Sequence, residues 1–133
     1  MEKKFVNPPA IHAARGYTHA ITVEGGRRMV FVAGQVALTK EMQLVGAGDL
    51  AAQTRQAFLN LGAALEGVDA SFSDVVKITT YVVNYKPSDL AVIGQVRREI
   101  FGKESPPAST LVGVQALAVE GLLIEVEAIA MLA

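Results

Sequence analysis

The sequence predicts an α+β fold: two helices cover one face of a single mixed β-sheet. Three observations lead there. Strand-like and helical periodicities alternate in the order ββ-α-β-α-ββ. Only two stretches carry a helical stripe. The run from Val75 to Val83 has no clearly polar face, so one layer of helices leaves a second, apolar face to be covered by another subunit. With 133 residues and 14.1 kDa, the chain fits one domain over 1–133 and has no room for two.

Each element has a local cause. Asn7-Pro8-Pro9 stops any early element, with room before it for an extra strand near Phe5-Val6. Residues 20–24 and 29–33 read as strands, joined by a tight hairpin across Gly25-Gly26. Gly34 follows, where a backbone kinks or lets a ligand come close. Gly46-Ala47-Gly48 lacks the frame of GxxxxGK[ST] or GxGxxG and reads as an ordinary turn. Asp49 suits the N-cap of a helix at about residues 49–66. There Leu50, Ala57, Phe58, Leu61, Ala64, Leu65 and Val68 recur at helical spacing, and Gln53, Arg55, Gln56 and Asn60 fall largely on the other side. The β-branched run at 75–83 is a strand. Pro87 suits the first turn of a second helix, with Leu90, Ile93, Val96, Arg97 and Ile100 as its inner stripe and Gly102 at its end. After Pro106-Pro107, residues 109–114 and 122–131 read as closing strands.

Composition narrows the function. Apolar types at 51% against 19% charged exclude a disordered chain. A mean hydropathy of +0.35 is oily for a small monomer, which again points to apolar surface meeting another copy. Twelve basic and thirteen acidic residues leave a net charge of −1, with no bulk field for a phosphate backbone. The doublets Lys3-Lys4, Arg27-Arg28 and Arg97-Arg98 are too short and scattered for a nucleic-acid patch. The absence of cysteine excludes disulfides, thiolate catalysis and Cys-based metal sites. Apolar runs are shorter than a membrane span and no signal-type core follows the charged start, so a soluble cytoplasmic protein is expected.

Glu125 and Glu127 stand two apart on the last strand and share a face. Carboxylates on a largely buried surface cost free energy unless paired. One reading is a general acid/base; the other is an ion pair, most simply to Lys77. His12 and His19, without thiolates, make a poor metal site, and no metal is expected. Tyr17 beside His19 could bring a phenol and an imidazole to a cleft, or form a turn around a half-buried ring. Ser71, Ser73 and Ser109 have no nucleophile elbow.

Six stretches, in order and covering nearly the whole chain from residue 15, together resemble the reactive-intermediate deaminase family (RidA/YjgF-like, also labelled L-PSP endoribonuclease). They are Gly16-Tyr17-Thr18-His19-Ala20, Val30-Phe31-Val32-Ala33-Gly34-Gln35, and residues 53–61, 74–82, 107–114 and 124–130. The resemblance implies a chorismate-mutase-like fold and a homotrimer with small-molecule ligand clefts between subunits. It implies hydrolysis of 2-enamines or 2-imines to 2-keto acids and ammonia, with no cofactor. Glu125 matches the residue that activates water and Tyr17 the one lining the cleft. Ala33, Gly34 and Thr110 match the pocket wall.

Two departures stand out. Deaminating members carry Arg, which forks onto the substrate carboxylate, where this chain has Ala108 in Pro107-Ala108-Ser109-Thr110; a frequent pocket Asn aligns with Gly94. The chain thus resembles the arginine-lacking branches, in which the usual 2-imino acid activity is not expected, and His19 is only a partial substitute cation when protonated. Three functions follow as expectations. The first is hydrolysis or tautomerisation of a small imine or enamine, with Glu125 as acid/base and Glu127 held structurally by Lys77. The second is a non-catalytic small-molecule-binding trimer. The third, an endoribonuclease, ranks last for want of positive charge.

Overall fold

A computed structural model describes residues 1–103 and 105–133. Its elements are β1 (Glu2–Val6), β2 (Ala20–Glu24), β3 (Arg28–Val36), α1 (Leu50–Glu66), β4 (Val75–Val83), α2 (Asp89–Phe101), β5 (Ala108–Val114) and β6 (Ile124–Leu132), with one 3₁₀ turn at Phe72–Asp74. Four strands form a mixed sheet in the order β3-β6-β4-β5. β6 runs antiparallel to both neighbours, and β4 and β5 are parallel. A parallel pair needs a long crossover, which α2 supplies. Among the described residues no helix is long and apolar enough to cross a membrane.

The two-helix, mixed-sheet architecture is the one expected, but its beginning differs. β2 does not form a hairpin with β3. It pairs with β1, Phe5 opposite Ile21, as a separate two-stranded ribbon. The glycine pair serves another purpose. Gly25 turns the chain at φ +74, and the space a Cβ on Gly26 would need is filled by the Met131 sulfur, 2.7 Å away. Arg27 N then donates to Leu132 O at 2.9 Å and starts β3 along β6. At the ribbon's other end Thr18 bridges Ala108 at the start of β5.

Alternation along β6 and β4 sorts the two faces. Ile124, Val126, Ala128 and Ala130 of β6 and Ile78 and Val82 of β4 turn inward, against Phe58, Leu61 and Leu65 of α1 and Ile93 and Val96 of α2. Asp49 caps α1 as expected, its carboxylate accepting from Ala52 N at 3.0 Å. Gln53 departs from the helical pattern, for it is fully buried. Its amide donates to Gly46 O and Gly121 O and accepts from Leu123 N at 2.8 Å, so burial leaves no polar atom of the side chain wanting. In α2, Leu90 leaves the expected inner stripe and is 53% exposed. Pro87 lies just outside the helix, before its N-cap Ser88.

Candidate active site

The sheet face away from the helices carries the predicted chemistry. Register aligns side chains in rows across the four strands. One row runs Phe31, Ile129, Lys77, Ala108; another pairs Glu125 with Tyr81 and Val112. Between them lies the row of Glu127, Thr79 and Thr110. Large apolar groups on this face meet no cover within the chain: Phe31 is 73% and Met29 52% exposed.

Glu125 sits half-buried on β6. The β3 register shifts between Val32 and Gln35, leaving Ala33 and Gly34 outside the ladder beside it. A Cβ on Gly34 would fall 2.5 Å from the Glu125 carboxyl carbon, so this carboxylate occupies the space vacated by a missing side chain. The close approach at Gly34 is made by Glu125 of the same chain. Among the described residues Glu125 has no hydrogen-bond or ion-pair partner.

Glu127 is held, though not by Lys77. The Tyr81 hydroxyl donates to its Oε1 at 2.6 Å, and Lys77 Nζ donates instead to Thr110 Oγ1, also at 2.6 Å. Register explains the exchange: Lys77 lies opposite Ile129, next to β5, whereas Tyr81 lies opposite Glu125 and reaches diagonally to Glu127. The Tyr81 hydroxyl is held above its ordinary value of 10.0, first by the hydrogen bond to Glu127, then by loss of water, then by the charges of Glu127 and Glu125.

The remaining candidates gather elsewhere. Thr18 N donates to Pro107 O and its hydroxyl to Pro106 O, and Thr18 bridges Ala108, so Tyr17 and His19 flank that junction. Tyr17 OH is 2.7 Å from His12 Nε2, and His19 Nε2 lies 2.7 Å from the His12 carbonyl. The His19 ring packs edge-on to both Tyr17 and His12. With its Nε2 proton given to a backbone oxygen, His19 is tied into this loop as a structural ring. Among the described residues no three metal-ligating side chains converge.

The candidate residues therefore fall into two separate groups on one chain. Ala108 stands two strands sideways and four residues along from the Glu125 row, roughly 16 Å away. Glu125, Ala33 and Gly34 stand in one group; Tyr17, His19 and Ala108 meet around the Thr18 bridge in the other, with Thr110 two residues further along β5. The sequence pointed to Lys77 as the partner of Glu127, and the partner is Tyr81; His12, weighed there only as a metal ligand, instead contacts Tyr17 and His19. The shared parity of Tyr81 with Lys77 on β4 was a signal for Tyr81, but only register picks between the two.

Comparison with known proteins identifies the family. The family model for Endoribonuclease L-PSP matches residues 8–132. A RutC family protein of Pyrococcus abyssi is 40% identical over 114 residues, 86% of this chain and 84% of that protein. A Dermatophagoides farinae protein named 2-iminobutanoate/2-iminopropanoate deaminase is 30% identical over 129 residues, 96% of this chain and 94% of that one. Among solved structures, the Rid family protein YyfB of Yersinia pestis, described as of unknown function, has a TM-score of 0.90 at 41% identity, over 99% of this chain and 100% of that one. The match runs through the strands and helices that carry both groups of candidate residues, and the chain belongs to the Endoribonuclease L-PSP family, within the RidA/YjgF superfamily.

Proposed function

We propose that this is a RidA-like small-molecule-processing protein. Its ligand clefts form between copies of a homotrimer, and Glu125 acts as acid/base on a small imine or enamine. The observation that carries this is the half-buried Glu125 carboxylate, unpartnered among the described residues and lying across Gly34 on the sheet face that the helices leave uncovered. Deaminase-named relatives support the reaction class. A second copy that brings its Tyr17–Ala108 half against the Glu125 half would complete each cleft.

In hydrolysis Glu125 takes a proton from water as the oxygen adds to the C=N carbon. The nitrogen gains a proton, and the carbinolamine collapses to a carbonyl and ammonia. In tautomerisation the same carboxylate moves a proton between carbon and nitrogen. Neither path calls on a cofactor. A positioned acid/base of this kind contributes about 10²–10⁴-fold to rate.

Ala108 favours a second reading, a binding trimer without turnover, because it offers no cation to a 2-carboxylate. Generating an enamine in situ and following keto acid and ammonia separates the two. Turnover that disappears in Glu125→Gln supports the enzyme; binding without turnover in the natural protein supports the alternative. Activity on 2-iminopropanoate should be weak, and Ala108→Arg should tighten its binding by about one to two orders of magnitude. An imine hydrolysed as fast as by arginine-bearing relatives would show that another group holds the carboxylate.

A further inference from the structure

A cavity of about 530 Å³ opens beside α2, within the range of small-ligand pockets. Four cations stand around it: Arg15, Arg97, Arg98 and Lys103. The chain as a whole has a net charge of −1, so this is a local concentration made by the fold. The Arg97-Arg98 doublet, isolated in the sequence, is joined here by Arg15 from the loop before β2. Neither of the two ion pairs among the described residues, Lys4–Glu2 and Arg55–Glu99, involves any of the four.

Arg97 is the under-satisfied member. Its Nε is sealed from water and has no acceptor among the described residues, and a terminal nitrogen donates to Gly16 O only at a long 3.3 Å. Burial pushes its guanidinium below the ordinary value, yet an arginine stays charged. A cation that has lost water without gaining partners is costly, and an arriving anion offsets that cost. Arg98 has a second task, since in the last turn of α2 it complements the helix dipole.

The cavity adjoins the second group of candidate residues. Gly16 precedes Tyr17, and Pro106 leads into Pro107 and Ala108, all stitched together through Thr18. α2 turns Gly94 towards it, where an added Cβ would meet only a terminal nitrogen of Arg98, at 3.4 Å. Pro87, Leu90 and Phe101 supply an apolar wall.

We propose that this cavity binds the carboxylate of a small organic anion through Arg97, with the ligand's short apolar body against Leu90 and Phe101. The proposal rests on reading the Tyr17–Ala108 region as ligand-binding. Its test reads binding alone, so the fate of the imine chemistry is decided separately.

The backbone amides of Gly16, Gly94 and Gly102 border the cavity and report on it by ¹H–¹⁵N NMR. Butanoate should shift these three in a saturable way, and n-butylammonium, of the same shape and opposite charge, should not. Arg97→Met should weaken butanoate about ten- to hundredfold, with partial recovery in Arg97→Lys. Gly94→Leu replaces a helical glycine by a better helix former and fills the cavity, so it should fold and lose the shifts. Equal binding of butylammonium, unchanged affinity in a folded Arg97→Met, or saturation by inorganic phosphate with butanoate silent would each overturn the proposal.

Discussion

Glu125 and Glu127 share a strand face but not a situation. Tyr81 gives Glu127 a hydrogen bond, and Glu125 lies over Gly34 with none. Glu127→Ala removes the acceptor of the Tyr81 hydroxyl and should lower the midpoint of chemical denaturation, whereas Glu127→Gln keeps an acceptor and should lower it less. Glu125→Gln should leave the thermal midpoint almost unmoved and alter ligand binding or turnover. The reverse pattern would exchange their roles. Tyr81 adds a pH dependence. Its hydroxyl loses its proton less readily in the fold than in the unfolded chain, so the stability it contributes is full below about pH 10 and is lost as pH rises through the higher folded value. In absorbance titration, one of the three tyrosines should ionise late, and Tyr81→Phe should abolish that late step and flatten the alkaline fall in stability. Parity along the last strand made both carboxylates legible in the sequence. Their partners were not, because Lys77 and Tyr81 have the same parity on β4 and only the inter-strand register separates them.

Among the elements, those with local causes were legible. Asp49 and the apolar stripe set α1 to within a residue, and the β-branched run gave β4 at its observed limits. The failures were long-range. Gly25-Gly26 has the chemistry of a hairpin, yet the close approach of Met131 to Gly26 and the start of the β6 ladder at Arg27 claim it instead. Gln53 reads as surface by type and spacing, yet it ties the turn before α1 to the start of β6. Gln53→Ala takes the side-chain partner from Gly121 O and Leu123 N, while Gly46 O keeps Asp49 N, and leaves a void at a fully buried position; it should cost about 2–4 kcal/mol in urea denaturation. Arg55→Ala, on the same helix, breaks an exposed 3.4 Å ion pair and should cost no more than about 1 kcal/mol. Equal losses would mean that the buried network contributes nothing special.

For the whole molecule, the uncovered face is decisive. Phe31, Met29 and Val112 stand exposed on a sheet that the helices protect from one side only. Sedimentation equilibrium should find a trimer burying on the order of 2,000 Å² or more per pair, and Phe31→Asp should release monomers. A natural protein that stays monomeric at micromolar concentration would remove the shared cleft. The apolar strand faces announced this surface in the sequence. The roughly 16 Å between Ala108 and the Glu125 row could not be read there, since it depends on strand order.

That distance has a genetic consequence. If each cleft borrows its halves from different copies, damage to one half is recessive to damage in the other. Glu125→Gln subunits keep an intact Tyr17–Ala108 half; Ala108→Asp subunits, which repel an anion, keep an intact Glu125. Neither pure trimer should work. Unfolding the two together and refolding them as mixed trimers should restore function in those clefts where the two sound halves meet, and separately refolded trimers combined afterwards should stay inactive until their subunits exchange.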